Sequence, residues 1–508
     1  MNPTLPNTIV RRKRYNSKDR LEIGFIESTD IHDHVLTDRL ILQPLSQALS
    51  QRLPMDVLEH IMDYMDQATL CQCARVCRAW KPRGVYLLHT RIELRRRVAL
   101  EALSRAAHRN IGEARENLAF TKELCVTNAK GLAFCHVVPL TLGKMMPALE
   151  SIIFDACLKP MMHPTFFKYL PAFTTVVRLT LSSFKLANFT ELRKILCAFP
   201  RLNHLSISHG EILRGYAYSD IRDDVPYATL YKLERLELGE QLGTVLLTAL
   251  VDWFVKSSSC RAISHLEIHR NSDGDVTCIN RLLHAIGSSL TELIEYGSLY
   301  EGRLHADLEN NTKLRFLETY ISRRVWESEG VSWPRIMDEL YALFSSIKSD
   351  SIEAIALHWV TRADTDLIMH SLAESESDPS YLQSVLNRAV FSSLKDVQLT
   401  VEADSADHWD DNWAKATAVL AQAVPSMQTL FSPWDERGIL TVTPVYWELP
   451  REVNIDPSSP TRLLDASHRA FYQPTYYAQG LLEPQQSYLE RMLDSHHRSS
   501  YHPIYLHY

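Results

Sequence analysis

Three groups of residues have types that could do chemistry. Cys71, Cys73 and Cys77 stand close enough in sequence to suggest a soft-metal site. On a helix, however, i, i+2 and i+6 fall on different faces, and no Cys-x-x-Cys or histidine pair completes a set of four ligands, so no metal is expected. His496, His497, His502 and His507 could hold a metal adventitiously and are read first as solvated tail residues. No phosphate loop, HExxH or G-x-S-x-G spacing occurs, and no cofactor is expected. A catalytic triad assembled by the fold stays open, because triads are defined by geometry and not by sequence spacing. The third group is polar and aromatic: Arg178, His204, Arg235, His265, His269, Tyr296, Tyr320 and His358. Their chemistry is binding. Arginine and tyrosine anchor protein interfaces, and histidine makes a surface pH-sensitive.

The elements that position this third group form a repeat of the pattern apolar-x-x-apolar-x-apolar, each followed by a helical stretch. Copies stand at Leu149-Ile152-Phe154, Val176-Leu179-Leu181, Leu202-Leu205-Ile207, Leu233-Leu236-Leu238 and Ile263-Leu266-Ile268. Weaker copies begin at Leu290, Leu314, Ile352 and Leu394, with a first one at Leu124-Val126. The last two apolar positions alternate with polar ones, so a short strand buries the leucines and presents the polar residues on its other face. Helices are expected at Phe189–Pro200, Val245–Lys256, Val276–Ile286, Arg335–Ile347 and Trp413–Val424. Stacked right-handed strand–helix units make a solenoid whose strands line one surface.

Over 121–450 this resembles the leucine-rich-repeat horseshoe, in an irregular form. The asparagine or cysteine ladder of that family survives only as Cys157 and Asn271, while Phe184, Gly210 and Gln241 occupy its place elsewhere. The resemblance implies that the eight residues named above face a substrate. A doubly wound α/β domain is the rival reading, but none of the 16 glycines forms G-x-G-x-x-G.

A second organising stretch runs from Leu53 to Trp80. Leu53, Val57, Leu58, Ile61, Met62 and Met65 form one amphipathic stripe, and Leu70, Cys73, Ala74 and Cys77 form another. Asp66-Gln67-Ala68-Thr69 separates them. So short a piece cannot bury that much apolar surface by itself. Leu53-Pro54, Leu58, Ile61, Leu70, Ala74, Val76, Cys77 and Trp80 resemble the F-box at that family's spacing, as in fungal-type F-box/leucine-rich-repeat receptors. The resemblance implies a small all-α unit of three helices preceding the α/β solenoid. It also implies contact with the adaptor subunit of an SCF-type cullin–RING E3 ubiquitin ligase, and through it cullin. The expected adaptor-facing residues are Leu53, Pro54, Val57, Leu58, Ile61, Met62, Leu70, Val76 and Trp80.

The domain organisation read from composition is a basic arm over 1–45, the F-box over 50–90, linking helices over 91–120, the repeats over 121–450 and a flexible tail over 451–508. Arg11-Arg12-Lys13-Arg14 is read first as a solvated arm and second as a nuclear import signal. With 54 basic against 61 acidic residues, no affinity for nucleic acid or acidic membrane is expected. No 18-residue apolar run or secretory signal is seen, and nine scattered cysteines suit reduced thiols. The expected compartment is cytoplasm, nucleus or both. The expected function is a non-catalytic substrate receptor that binds a protein of unknown identity. The alternatives are a scaffold outside any ligase and an enzyme with an unrecognised site.

Overall fold

The computed structural model describes residues 54–76, 78–109, 113–127, 134–160, 162–213, 233–269, 274–298, 307–322, 333–362, 380–404 and 412–447. The arm over 1–45 with Arg11–Arg14, Leu53, Cys77, Asn271 and the tail over 451–508 with its histidines lie outside the described residues. Contacts divide the chain between Ser289 and Leu290 into two units.

The first unit opens with three short helices, α1 (Met55–Met62), α2 (Gln67–Val76) and α3 (Lys81–Thr90). The carbonyl of Pro54 accepts from the amides of Val57 and Leu58 and starts α1. Asp66 starts α2, its carboxylate accepting the Thr69 amide at 2.6 Å. Met62, Leu70 and Cys73 form a small core on which Met65, Trp80, Leu87 and Leu88 pack. Gly84 allows the close approach of α3 to α2, since a Cβ there would sit 3.1 Å from that of Ala74.

From α3 the chain passes directly into a parallel sheet. Its strands are β1 (Arg91–Leu94), β2 (Glu123–Thr127), β3 (Ser151–Asp155), β4 (Arg178–Ser182), β6 (His204–Ser208), β8 (Arg235–Leu238) and β9 (His265–His269), paired in that order. Helices α4 (Arg97–Arg109), α5 (Ala114–Ala119), α6 (Val138–Leu142), α7 (Pro164–Tyr169), α8 (Phe189–Cys197), α9 (Thr244–Ser257) and α10 (Gly274–Ile286) fill the crossovers. The sheet therefore begins at Arg91, inside the stretch read as linking helices. The register keeps apolar residues opposite apolar ones: Leu179, Leu205, Leu236 and Leu266 form one fully buried row, and Leu181, Ile207, Leu238 and Ile268 the next. That stacking of like on like defines an α/β solenoid.

After four of these strands the chain turns through a left-handed residue: Ala156, Ser183, His209 and Gln241, each with φ between 50° and 55°. The amides of Ala156, Ser183 and His209 each donate to a carbonyl of the following repeat. Beyond the turn, β5 (Lys185–Leu186) and β7 (Glu211–Ile212) pair as a second small parallel sheet. These main-chain bonds tie successive turns together where an asparagine ladder is missing. The ladder position itself is filled by volume. Phe184 is fully buried there, and Gly210 one repeat later makes room for its ring, which a Cβ would meet at 2.5 Å.

The second unit continues the pattern with β10 (Glu292–Ser298), β11 (Phe316–Ser322), β12 (Ala354–Arg362), β13 (Asp396–Asp404) and β14 (Leu440–Trp447), all parallel and paired in that order. Helices α11 (Trp333–Ser346), α12 (Ser380–Leu386), α13 (Asn412–Leu430) and α14 (Ser432–Asp435) accompany them. The repeats that look weakest in sequence thus form the longest strands. Helix α13 runs through Pro425 instead of ending at Val424, because Met427 and Leu430 beyond the proline are buried. Arginines tie the turns here. Arg388 donates to the carbonyls of Phe344, Ser345 and Ile347 at 3.0–3.1 Å, capping the C-terminal end of α11. Arg437 repeats the device on Phe391 and Leu394. Phe344, Phe391, Phe431 and Trp434 make the aromatic centre of this unit.

Candidate protein-interaction surfaces

Helix α1 buries only Met62. On the opposite side Pro54, Val57, Ile61 and Tyr64 follow one another at i, i+3, i+7 and i+10, the spacing of a single helical stripe. Val57 is 41% exposed, Ile61 45% and Tyr64 80%, with Met55 beside them. Such a contiguous exposed apolar stripe is a candidate contact surface. Of the nine residues expected to meet an adaptor, Pro54, Val57 and Ile61 stand on this stripe and Leu58 is half-buried at its side. Met62 and Leu70 do not belong to it: both are core residues, since the short helices need them to close on one another. Trp80 is half-buried against the same core. Leu53 is outside the described residues, and only the backbone of Val76 is described.

The helices that carry this stripe are bonded to one another and to the first strand. Arg83 on α3 pairs with Asp63 at the end of α1, its Nε donating at 3.1 Å. Gln67 on α2 donates to the carbonyl of Arg91 at 3.5 Å, at the entrance to β1. Cys71 and Cys73 are buried, and the thiol of Cys73 lies 3.4 Å from the sulfur of Met65, as packed apolar side chains. Among the described residues no group of three or more His, Cys, Asp and Glu is arranged to hold a metal.

In the first unit the register lines Arg178, His204, Arg235 and His265 into one row, and Thr180, Ser206, Glu237 and Glu267 into the next. Glu237 is the hub. Arg235 Nε donates to its Oε1 at 2.8 Å, and His204 Nε2 lies 3.0 Å from the same oxygen. Burial alone would raise the Glu237 carboxyl, but His204, Arg235 and Ser206 outweigh it and hold its pKa at about 2. His269 stands 3.8 Å from Glu267. The five expected residues of this unit therefore occupy one polar surface, with Arg178 at its exposed end, 4.0 Å from Glu150.

The second unit brings the other three together more tightly. Tyr296, Tyr320 and His358 are opposite one another in the register, so strand spacing makes them stack. Ring centroids are 4.5 Å apart for the tyrosines and 4.2 Å for Tyr320 and His358, the latter pair stacked with nearly parallel planes at 8°. Two carboxylates complete the cluster and were not among the expected residues: Glu318 and Glu402. The Tyr320 hydroxyl donates to Glu318 at 2.9 Å, and His358 lies between Glu318 at 3.3 Å and Glu402 at 3.8 Å. Burial alone would lower the His358 pKa, but the two carboxylates raise it above the ordinary value. Burial, then the charge of Glu318, pushes the Tyr320 phenol up, so it remains a donor at all physiological pH. Period-two alternation on β11 and β13 could have flagged both glutamates.

A cleft of about 880 Å³ lies on the helix layer between α7 and α8, lined by Phe167, Lys168, Pro171, Arg193 and Lys194 among others. Its one thiol, Cys197, is pushed up by burial and so makes a poor nucleophile.

Residues 50–82 match the F-box-like family model. No curated protein matches the sequence. Among solved structures, the chain is similar to one in the crystal structure of a TLR13–ssRNA13 complex, with 13% identity and a TM-score of 0.29, covering 58% of this chain and 38% of that one. It therefore spans well under two thirds of that relative's length. It is also similar to the leucine-rich-repeat-containing protein LegL7 from Legionella pneumophila, with 11% identity, 61% and 90% coverage and a TM-score of 0.31. A chain of the yeast Rad7 and Elc1 complex matches with 14% identity, 70% and 90% coverage and a TM-score of 0.31. The chain thus joins a segment similar to the F-box-like family, at residues 50–82, to an α/β solenoid of parallel strand–turn–helix repeats.

Proposed function

We propose that this chain is the substrate-receptor subunit of an SCF-type cullin–RING E3 ubiquitin ligase, working in the cytoplasm or nucleus. The observation that carries the reading is the unpartnered apolar stripe of α1 inside the F-box-like segment. Val57 and Ile61 each retain roughly two fifths of their surface, and covering the rest is worth about 1 kcal/mol apiece. An adaptor seated on α1 supplies that cover. The stripe sits on helices bonded to the first strand of the sheet, so an adaptor there holds the polar rows of the first unit at a set distance.

The receptor makes and breaks no bond in this scheme. It raises the effective concentration of a substrate lysine near the ubiquitin-charged enzyme. The test is a reconstituted ligase carrying the full chain. Ubiquitin transfer to a protein captured by the repeats, lost on Val57→Asp/Ile61→Asp, supports the reading. Adaptor binding without transfer to any captured protein would instead make the chain a scaffold.

A further inference from the structure

The helix layer of the first unit carries a cleft that neither the strand rows nor α1 uses. At about 880 Å³, the space between α7 and α8 falls within the roughly 300–1,000 Å³ typical of ligand sites. Its apolar wall is anchored in the core: Phe167 packs edge to face on Phe166 at 5.4 Å, and Phe166 is fully buried against Phe154. Pro164 and Pro171 extend that wall to either side.

The charged groups around the cleft are mostly cations. Lys168, Arg193 and Lys194 line it against one carboxylate, Glu191. Lys194 reaches from α8 across to α7, its ammonium 5.5 Å from the Phe167 ring, and the ammonium of Lys168 lies 5.6 Å from the Tyr169 ring. Both lysines are exposed, and among the described residues neither pairs with a carboxylate. Glu191 is already engaged: its Oε2 accepts the Ala187 amide at 2.9 Å, while its own amide donates to Asn188 Oδ1 at 3.1 Å, a reciprocal cap on α8. Arg193 is only 7% exposed, so its charge is held in the wall of the cleft. This balance runs against the rest of the chain, in which 61 acidic residues outnumber 54 basic ones.

We infer that this cleft binds an acidic segment of a partner protein, one apolar side chain lying against Phe167 and Pro171 and flanking carboxylates held by Lys168 and Lys194. Carboxylate is favoured over phosphate. Phosphate is held best by arginine forks and helix N-terminal amides, and here Arg193 is buried and the start of α8 already carries Glu191. A nucleic acid would need a longer run of cations, and the net charge of -7 repels it. The site lies on the helix layer, apart from the strand rows, and holds whether or not the chain serves a ligase. No bond is made or broken.

The probe is a fluorescein-labelled glycine–serine peptide carrying Glu-Leu-Glu, titrated onto the full chain against the same peptide with Gln-Leu-Gln. Two partly exposed ion pairs should make the acidic peptide bind about tenfold more tightly at low salt, by a margin that narrows as salt rises. Serine in place of the leucine should weaken it about fivefold, and an unchanged affinity overturns the part given to Phe167. Lys168→Gln/Lys194→Gln should abolish the acidic preference; both side chains are exposed, so circular dichroism should show an unchanged fold. Lys313→Gln/Lys395→Gln, an equal loss of charge on exposed lysines of the second unit, should leave the preference intact. Equal binding of the two peptides, or a preference that survives Lys168→Gln/Lys194→Gln, overturns the inference. A phosphoserine version that binds more than about tenfold more tightly than the glutamate one overturns the choice of carboxylate.

Discussion

Arg388→Met removes three hydrogen bonds at once. The guanidinium of Arg388 reaches the carbonyls of Phe344, Ser345 and Ile347 at the last turn of α11, where Phe344 otherwise accepts only the Ile347 amide at 3.3 Å and Ser345 the Lys348 ammonium at 3.4 Å. Hydrogen bonds from a charged donor contribute about 1.5–3 kcal/mol each, but they are not additive, and these carbonyls are half-buried, so water recovers part of the loss. The helix C-terminus adds a favourable term for the positive charge of about 0.5 kcal/mol. The net expectation is about 3 kcal/mol, felt locally, because repeat units depend mainly on their neighbours. Hydrogen exchange read by mass spectrometry on the full chain should show peptides spanning 340–352 exchanging about a hundredfold faster. Peptides from β2 to β4 should be unchanged. Arg388→Lys keeps the charge without the fork and should recover less than half of the effect. If both variants exchange like the parent chain, arginine does not tie these turns. If lysine restores everything, the interaction is one of charge with the helix end and not a hydrogen-bond clamp.

Trp434 is fully buried, packs on Phe344, Phe391 and Phe431, and donates its indole N–H to the carbonyl of Leu386 at 3.2 Å. Trp434→Ala should therefore destabilise the second unit by about 3–5 kcal/mol, seen as early loss of its protection in urea. Ala156→Gly and Ser183→Gly relieve a left-handed conformation worth about 1–2 kcal/mol, less the entropy that glycine adds to the unfolded chain, so each should stabilise by about 0.5–1 kcal/mol. A lower denaturation midpoint for both would show that these turns are not strained. His358 has a folded-state pKa above its ordinary 6.5, so its contribution is fully present below that value and is lost as pH rises through the folded pKa. The stability difference between the parent and His358→Gln should shrink as pH rises above the ordinary histidine range; a difference that widens with pH would mean that the two glutamates do not hold the proton.

The strands of the first unit were legible because leucine alternates there with charged or hydroxyl residues, as in His204-Leu205-Ser206-Ile207. The second unit blurs that alternation. Ile294, Ala354 and Ala356 are apolar residues on the polar face, and Glu295 is a carboxylate on the buried one. The first strand, Arg91–Leu94, alternates properly but is four residues long and set among arginines, so it read as helix. In the second unit the last strand, β14, pairs with β13 and contains Pro444, a residue that sheets confine mainly to edge strands. The outward and inward sides of α1 could not be separated from the stripe alone. Val57, Leu58, Ile61 and Met62 spread over an arc of about 140°, and only the position of α2 and α3 decides that Met62 is the buried one. The aromatic–carboxylate cluster needed the register, since Tyr296, Tyr320 and His358 are far apart in sequence and adjacent only because the strands align.

The account stands or falls on the apolar stripe of α1. The deciding measurement is the affinity of purified adaptor for the full chain by calorimetry, for the parent and for Val57→Asp/Ile61→Asp, with circular dichroism to verify the fold. Both residues are exposed, so the fold should be intact, while two carboxylates buried in an apolar contact should weaken binding by more than a hundredfold. Undiminished binding by the folded variant, or no binding by the parent chain, would contradict the assignment of this face as the adaptor surface.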